Sequence, residues 1–359
     1  MRKILLILML AGFSSFSYGQ KEVVTFIQAG KADATKLFHS YLQPYAISLG
    51  DGLNNGWFTT AQSHKFLGFD ISIGVSAVQV PSSDKQFDLN SLSFSKIKVS
   101  SGSNSITPTV AGSSNNGPKL DLYDVVNGQT VKIASFDAPG GTGYSLVPVP
   151  MVQVGFGLLP HTDVIGRYVP KMSFGSGDQK MQIGLMGLGL KNDFKSMIPF
   201  FRHLPFDMAV YGGYTRLTAD AGLDFQPSAY GNNIPVVDYV ETNDQKLSIT
   251  TKSLTYGLIV SKKLGPLTFF GSVGNSNSKS SVDLLGKYPV VTINTTNVPP
   301  TPQITEKDAL HDPIALDYNN SSMTLNGGLR IKLLFFSVYG SVTKANYTSY
   351  NAGVSFGFR

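Results

Sequence analysis

The sequence predicts an all-β fold: a transmembrane antiparallel β-barrel of about 12 strands, within a range of ten to fourteen, with an N-terminal helical plug or cap. The first observation is a set of long segments in which apolar residues alternate with small or polar ones. The second is composition, because 42% of residues are hydrophobic and only 14% are charged, against roughly 25% charged residues in soluble domains. The third is that no apolar run after the first twenty residues approaches the roughly 18 residues of a membrane helix.

The first residues have the plan of a secretory signal peptide. Arg2 and Lys3 precede an apolar run over residues 4–13, and Ser17, Tyr18 and Gly19 form a short region before Gln20. Residues 1–19 are therefore predicted to be cleaved during export. The chain has no cysteine, which excludes a disulfide scaffold, a thiolate metal site and a lipid anchor at the cleavage point. An exported chain without disulfides fits the bacterial cell outer membrane.

Residues 20–65 are predicted to form a plug or hatch segment. Residues 31–49 read as a helix, with Asp33 as a plausible N-cap and Pro44 as a point where the helix kinks or splits. Residues 50–57 read as a turn-rich loop. The candidate plug or ligand-contacting residues are the apolar stripe of this helix and the single tryptophan: Leu37, Phe38, Tyr41, Leu42, Tyr45 and Trp57.

Two interpretations of this helix stay open. It either caps the periplasmic mouth or packs inside the barrel for stability, or it is a plug that gates a path for a hydrophobic ligand. An exposed aromatic stripe is costly in water, so both interpretations require that something covers it.

Residues 66–359 are predicted to form the barrel, because beyond Phe66 the apolar period changes to two. Around Ile73, for example, apolar residues point one way while Ser72 and its small or polar equivalents point the other. These segments run to about ten or more residues, against a mode of about 5–6 in soluble sheets and about 9–11 in membrane barrels. We expect the apolar face to contact lipid and the polar face to line the lumen.

The connections have unequal lengths. The turns at residues 159–161 and 264–266 are tight, whereas residues 217–245 and 284–320 form long connections. If the C-terminus ends in the periplasm, the tight turns lie inside and the long loops outside, as in known barrels. Any strands hidden in residues 81–148 must come in pairs, which raises the predicted count to about 12. The long link 193–205 predicts a short amphipathic helix at the membrane surface.

Catalytic and cofactor chemistry is not predicted. Residues 353–357 spell G-x-S-x-G, but no helix follows, so Ser355 reads as a lumen-facing serine. The five histidines lack metal-ligand spacing, and no clustered basic stripe suggests nucleic acid as a partner. Asp70 and Asp207 both face inward and either meet across the lumen, hydrate it, or pair with Arg330 or Lys332. We expect no enzyme activity, no metal and no cofactor.

Three stretches, residues 41–74, 138–160 and 187–215, resemble a Bacteroidota family of exported outer-membrane barrel proteins of unknown function. This resemblance implies a location and an architecture rather than a reaction. The layout, with a hatch-like segment at 31–57, is also similar to the FadL-type long-chain fatty-acid transporters, which pass hydrophobic molecules sideways through a fourteen-stranded barrel. None of that family's ligand residues are carried over. The ending departs from the usual aromatic terminus, because Arg359 follows Phe358.

The sequence thus favours a plugged outer-membrane channel for small hydrophobic or amphipathic compounds. The alternative is a structural or adhesive barrel that transports nothing, and a third hypothesis is an outer-membrane hydrolase using Ser355. The expected partners are outer-membrane lipid, a small hydrophobic molecule, and the barrel-assembly machinery, which would read the C-terminal strand.

Overall fold

A closed antiparallel barrel of ten strands forms the body of the computed structural model, which describes residues 27, 30–126, 128–175, 180–195, 197–227, 234–238, 241–242, 244–294, 296–297 and 301–358. The predicted signal peptide, residues 1–19, lies outside the described residues. Each strand pairs with its neighbours in the chain, and the last pairs with the first. In chain order the strands are β1 (Phe69–Gln79), β2 (Leu146–Leu159), β3 (Thr162–Phe174), β4 (Met181–Asp193), β5 (Asp207–Gly222), β6 (Lys246–Leu264), β7 (Leu267–Leu285), β8 (Ile314–Leu333), β9 (Phe336–Lys344) and β10 (Thr348–Phe358).

The barrel has ten strands rather than about 12, the lower limit of the predicted range. The difference lies in residues 80–145, which we call the loop domain. Its five short strands pair with one another outside the barrel wall, so none of them joins the barrel. Gln86–Asp88 pairs with Ile106–Pro108, while Ile97–Val99, Lys119–Val126 and Gln129–Asp137 form a three-stranded sheet. Three of these strands have only three residues, too few to span a bilayer.

The two ends of the barrel differ as the connection lengths predict. The turns β2–β3, β6–β7 and β8–β9 have only two residues each, and they share one end, the short-turn end, with the finish of β10. The loop domain and the β5–β6 and β7–β8 loops share the opposite, long-loop end. The β7–β8 loop carries two small ladders, Lys287–Tyr288 with Leu310–His311 and Val291–Asn294 with Thr301–Ile304.

The link between β4 and β5 does not form the predicted amphipathic helix. Its helical part among the described residues is a single 3-10 turn, Phe201–His203. Pro199 and Pro205 lack an amide donor and interrupt a continuous helical ladder. Phe200 is nevertheless strongly exposed, so the link does present apolar surface at the short-turn end.

The strands alternate between the two faces of the wall as the two-residue period predicts. Ile71 on β1 is exposed on the outer face, whereas Ser72 and Ser76 are buried on the inner face. The same division runs around the barrel, with exposed outward residues that include Leu188, Val210, Leu254, Leu258, Leu325, Val338 and Val354. The middle of the outer surface is therefore apolar, whereas the inner surface combines small and polar side chains with an apolar patch, which includes Val169, Leu185 and Leu217, around Leu53 of the helix.

Helix α1 (Lys31–Asn54) continues through Pro44 without splitting and extends into the predicted loop. Its N-cap is Gly30 rather than Asp33, because the Asp33 carboxylate binds the loop domain instead. The glycines that suggested a loop allow a close approach to the wall: a Cβ on Gly50 would lie 2.1 Å from the Ser278 hydroxyl, and one on Gly52 would lie 2.5 Å from Val149. Tertiary packing thus overrides the low helix propensity of glycine here.

The N-terminal segment passes from the long-loop end through the barrel to the short-turn end. The first turns of α1 contact the loop domain, and its last turns contact the inner faces of β6 and β7. Residues 55–68 then follow the lumen until the Leu67 amide donates to Gly157 beside the β2–β3 turn, where β1 begins. Among the described residues, no helix has both the length and the apolar character needed to cross a bilayer.

Candidate functional site: contacts between the plug and the barrel wall

Residues 31–68, which we call the plug, bring four of the six predicted site residues under the loops of the long-loop end. Leu37 and Phe38 are buried in an apolar cluster that includes Ile97, Leu120 and Tyr288, and Tyr41 and Leu42 pack against its edge. The Tyr41 hydroxyl donates to the Gly140 carbonyl at 2.8 Å. The aromatic stripe is therefore covered by the protein itself.

Asp33 joins the first turn of the plug to the loop domain. Its buried carboxylate accepts hydrogen bonds from the backbone amides of Ser95, Lys96 and Ile97 and from the Ser95 hydroxyl. Burial opposes the charged form, but these donors outweigh burial, so the pKa of Asp33 is lowered from 3.8. The charged carboxylate therefore stabilises the attachment of plug to loop domain.

Tyr45 and Asp51 fix the plug at the level where it enters the barrel. Tyr45 shares a hydrogen bond of 2.9 Å with the Thr142 hydroxyl. Asp51 is buried, and its carboxylate accepts from the Tyr347 amide at 3.0 Å and from the Asn320 side chain at 3.3 Å. Polar contacts with the loop domain, β8 and the β9–β10 turn therefore replace the water that these groups would otherwise bind.

Trp57, the sixth predicted residue, lies deep in the lumen. Its ring packs on the inner faces of β4 and β5, where a Cβ on Gly189 or Gly213 would lie 2.6 or 2.5 Å from ring atoms. The guanidinium carbon of Arg167 lies 3.6 Å from the centre of a Trp57 ring, which is cation–π geometry. Two glycines and one arginine of the wall thus form the binding surface for the plug's tryptophan.

Arg167, on β3, also holds the C-terminal end of α1. Its guanidinium is almost fully buried and donates to the carbonyls of Leu53 at 2.7 Å and Asn55 at 2.6 Å, and to the Gln153 side chain at 3.1 Å. The last carbonyls of a helix have no partner within the helix and carry the negative end of its dipole. A cation at this position satisfies both features of the helix end.

Further towards the short-turn end, Lys191 on β4 binds the part of the plug that follows helix α1. The buried ammonium donates to the carbonyls of Thr60 at 3.2 Å and Gln62 at 2.8 Å, and it pairs with Asp163 on β3 at 2.9 Å. Thr60 in turn lies 3.3 Å, oxygen to oxygen, from the Ser261 hydroxyl of β6. The plug is thus held from two sides of the barrel at one level.

His64 lies between two carboxylates of the wall. Its Nδ1 is 3.1 Å from Asp163 and its Nε2 is 3.2 Å from Asp70, while its backbone amide donates to Asp163 at 2.8 Å. Asp163 and Asp70 belong to β3 and β1, so His64 connects these two strands through the plug, and its ring adds a positive charge to the network only when it is protonated.

The predicted alternatives for the inward acids are resolved by these contacts. Asp70 pairs with His64, and Asp207 lies 3.7 Å from Lys195, so these two carboxylates have different partners. Arg330 donates to Thr59 of the plug and to the wall serines Ser337 and Ser355. Ser355 is therefore a lumen-facing serine, as its position in the sequence predicts.

Ser355 and His64 line one cavity of about 30 Å³, and a second cavity of about 40 Å³ lies beside Trp57 and Asn326. Each has room for a few water molecules at most. Both nitrogens of His64 face carboxylates, so this ring has no free nitrogen to take a proton from Ser355. The geometry supports a polar joint between plug and wall rather than a nucleophile and base.

The apolar period of the sequence predicts the aromatic stripe as part of the site but not Arg167, Lys191, Asp163 or His64. The signal was present for three of them, because Arg167, Lys191 and Asp163 occupy inward positions of strands whose other inward residues include glycine and buried apolar side chains such as Ile165 and Leu185. A charged residue at such a position needs a partner, and the plug supplies it. His64 lies outside any periodic segment, so no pattern pointed to it.

Comparisons with known proteins give a family and a set of distant barrels. Residues 1–358 match a family model described as "Family of unknown function (DUF6588)". No curated protein matches the sequence. Similar solved structures are Ail, the attachment invasion locus protein of Yersinia pestis (9% identity, 82% of this chain, 100% of that chain, TM-score 0.25), the outer membrane protease OmpT of Escherichia coli (10%, 84%, 99%, 0.30) and the toluene transporter TodX of Pseudomonas putida (9%, 87%, 74%, 0.26).

Proposed function

The chain belongs to the DUF6588 family of unknown function, and we propose that it is a bacterial outer-membrane β-barrel that acts as a plugged channel for small amphipathic compounds. The plug closes the lumen in the state described here. Transport requires that the plug shift away from the wall around Trp57 and Arg167. The observation that carries the proposal is the joint itself, in which wall cations hold backbone carbonyls of the segment that fills the lumen.

The apolar outer surface supports the membrane location. Outward residues along the middle of the wall, such as Val210, Leu254, Leu258 and Val338, are exposed and would be covered by hydrocarbon in a bilayer. Strands β1 and β10 have 11 residues and β9 has 9, which matches the length needed to cross. The predicted signal peptide fits the same destination.

The wall chemistry supports a channel that admits water once the plug has moved. The inner faces of β6, β7 and β10 are lined with hydroxyl and amide side chains, among them Thr251, Ser253, Ser276, Ser349 and Asn351. A barrel filled permanently by apolar packing has no need of such a lining. Since these groups would line the open path, amphipathic compounds fit it better than purely hydrophobic ones.

The charges of the joint favour anionic cargo. Three wall cations, Arg167, Lys191 and Arg330, face the plug, against the two wall carboxylates Asp70 and Asp163. Displacing the plug exposes this excess positive charge to the lumen. The open channel is therefore expected to conduct anions in preference to cations.

A structural or adhesive role is the second candidate, and the loop domain favours it. Its 66 residues form two sheets of their own, one of two and one of three strands, at the long-loop end. A folded domain held over a closed barrel is suited to display at a surface. In that case the joint only stabilises the fold, and the plug never moves.

An engineered lock separates the two candidates. The natural chain has no cysteine, and the hydroxyls of Thr60 and Ser261 lie 3.3 Å apart, so the pair Thr60→Cys and Ser261→Cys joins plug to wall by one disulfide. In planar bilayers Arg167→Gln should open the channel, and oxidising the lock in that background should close it again. A folded Arg167→Gln barrel that never conducts, oxidised or reduced, would favour the structural role.

A further inference from the structure

Three cations stand in one row on the outer face of β5, β6 and β7. In the strand registers Arg216 lies directly opposite Lys252, and Lys252 lies directly opposite Lys279. All three residues are exposed. Neighbouring strands are about 4.8 Å apart, so the three side chains leave the wall side by side.

The row lies at the long-loop edge of the apolar surface. The next outward residues towards the short-turn end are Tyr214 on β5 and Leu254 on β6, exposed by 42% and 45%. Towards the long-loop end the outward residues of β6 are Thr250 and Ser248 instead. The row therefore marks the level at which hydrocarbon gives way to lipid head groups, if the barrel spans a membrane as proposed above.

The charges of the row are only partly balanced by the protein. Lys279 lies 3.3 Å from Asp317 on β8, where both side chains are half exposed. Arg216 and Lys252 form no ion pair with a carboxylate of the described residues. Like charges directly opposite each other on neighbouring strands destabilise a sheet unless an anion lies between them.

A groove lies beside the two lysines of the row, and Arg216 stands next to it on β5. A cavity of about 430 Å³ on the outer face is lined by Tyr214 and Leu254 at one side and by polar residues that include Lys252, Asn277, Lys279 and Asn319 at the other. The apolar side faces the belt that acyl chains would cover. The polar side supplies amide and ammonium donors to the groups above those chains.

We propose that Arg216, Lys252 and Lys279, with this groove, bind the phosphate-bearing head group of an anionic lipid in the leaflet at the long-loop end. The planar guanidinium of Arg216 donates two parallel hydrogen bonds to one phosphate, and the two ammonium groups add point charges beside it. Asn277 and Asn319 donate to the ester or sugar oxygens of the head group. The proposal rests on the membrane location proposed above and adds a lipid preference to it.

A lipid-binding measurement on the full chain tests the proposal. The protein in a neutral detergent is given equal amounts of phosphatidic acid and phosphatidylcholine, and bound lipid is measured by native mass spectrometry. The natural chain should prefer phosphatidic acid by about tenfold or more, and the triple variant Arg216→Gln, Lys252→Gln and Lys279→Gln should lose that preference. Lys262→Gln is the matched control, because Lys262 is an exposed outward residue of the same strand near the short-turn end.

Each outcome is decisive. An equal loss in Lys262→Gln, or no preference in the natural chain, overturns the proposal. Displacement of the lipid by millimolar inorganic phosphate also overturns it, because the site would then be a phosphate site rather than a lipid site. Without lipid, Lys252→Gln should have a higher Tm than the natural chain, because it removes repulsion between like charges on neighbouring strands. Phosphatidic acid should abolish this difference in Tm. Failure of the chain to insert into vesicles would instead contradict the membrane location, so the two failures are distinguishable.

Discussion

Arg167 of the barrel wall covers Trp57 of the plug, with its guanidinium carbon 3.6 Å from the centre of a ring, while its nitrogens bind the carbonyls that end helix α1. One wall residue therefore makes three kinds of contact with the plug: cation–π stacking, charge-assisted hydrogen bonds and a favourable position at the helix dipole. This joint is therefore a central contact between the plug and the wall of the closed lumen.

Replacing Arg167 tests the strength of the joint. Arg167→Gln keeps some of the volume but removes the cation and most of its donors, so we expect a loss of about 2–4 kcal/mol in the free energy of unfolding. Arg167→Lys keeps the charge but lacks the planar guanidinium, so its free energy of unfolding should lie between those of Arg167→Gln and the natural chain. Urea unfolding in detergent micelles measures both variants. Equal stability of Arg167→Gln and the natural chain would show that the joint does not hold the plug.

Adding one methyl group beneath Trp57 tests how closely the plug fits. Gly213→Ala places a Cβ 2.5 Å from the indole ring, so we expect a loss of about 1–3 kcal/mol and a displaced tryptophan. Gly212→Ala is the control, because its Cβ meets nothing nearer than 3.8 Å. Trp57 is the single tryptophan, so its fluorescence emission reports its environment directly. A red shift is expected for Gly213→Ala alone, and matching spectra for the two variants would contradict the packing.

Acid should loosen the attachment of the loop domain through Asp33. Its pKa is lowered in the folded state, so the charged carboxylate stabilises the folded state at pH values above 3.8, and this contribution is lost as pH falls through the lowered pKa. Asp33→Asn should already be loosened at pH 7 and lack that acid-dependent step. Limited proteolysis of residues 80–145 across about pH 2–6, a range that brackets the ordinary pKa of an aspartate, measures the attachment.

Asp88→Asn is the matched control for this titration, because the exposed Asp88 side chain accepts from a single backbone amide of the described residues, that of Asn90. Cleavage of Asp33→Asn that follows the same pH curve as the natural chain would assign the acid sensitivity to other groups.

Arginine on the outer face should be tolerated according to its level on the strand. Leu258→Arg lies in the middle of the apolar surface and should cost about 2–4 kcal/mol in lipid vesicles, whereas Thr250→Arg, on the same face beyond the cationic row, should cost less than about 1 kcal/mol. Folding equilibria in vesicles measure both. Similar costs at the two positions would place the membrane boundary elsewhere or remove the membrane altogether.

The inner face behaves differently from what its polar lining suggests. A serine that faces an open lumen accepts a larger side chain, so the sequence predicts a mild effect for Ser72→Arg. In the structure Ser72 is buried and lines the cavity of about 30 Å³ between plug and wall, which is too small for an arginine side chain, so this substitution should be destabilising as well. This correction follows from a filled lumen, which periodicity alone does not reveal.

Periodicity predicted the wall well because the physics of the wall is local. A residue that faces lipid must be apolar whatever its distant contacts. The apolar period therefore predicts from the sequence that Ile71 and Leu258 lie on the outer face. The end-to-end asymmetry of short turns and long loops is local for the same reason. The sequence could predict the range of strand numbers but not the exact count. The two strands within residues 119–137 are as long as the strands of a barrel hairpin, yet they pair outside the wall.

The inward charges of the wall could be found in the sequence, but their partners in the plug could not, because these contacts cross long distances in the chain. Arg167 reaches Leu53 and Asn55, and Lys191 reaches Thr60 and Gln62, through backbone carbonyls that carry no sequence signal. The predicted end of α1, at residue 49, was wrong for a related reason. Gly50 and Gly52 have low helix propensity, but they lie in the helix because the nearby wall leaves no room for a Cβ at either position.

A cysteine scan of β6 tests most directly whether the outer face of the barrel contacts lipid. The natural chain contains no cysteine, so each introduced cysteine is the single labelling site. Spin labels placed one at a time at residues 254–260 in lipid vesicles are compared for collisions with oxygen, which dissolves in lipid, and with a water-soluble nickel complex. The account predicts high oxygen accessibility at 254, 256, 258 and 260, and low accessibility to both reagents at 255, 257 and 259, where the wall faces the lumen. High nickel accessibility at 256 and 258, or no alternation along the strand, would contradict it.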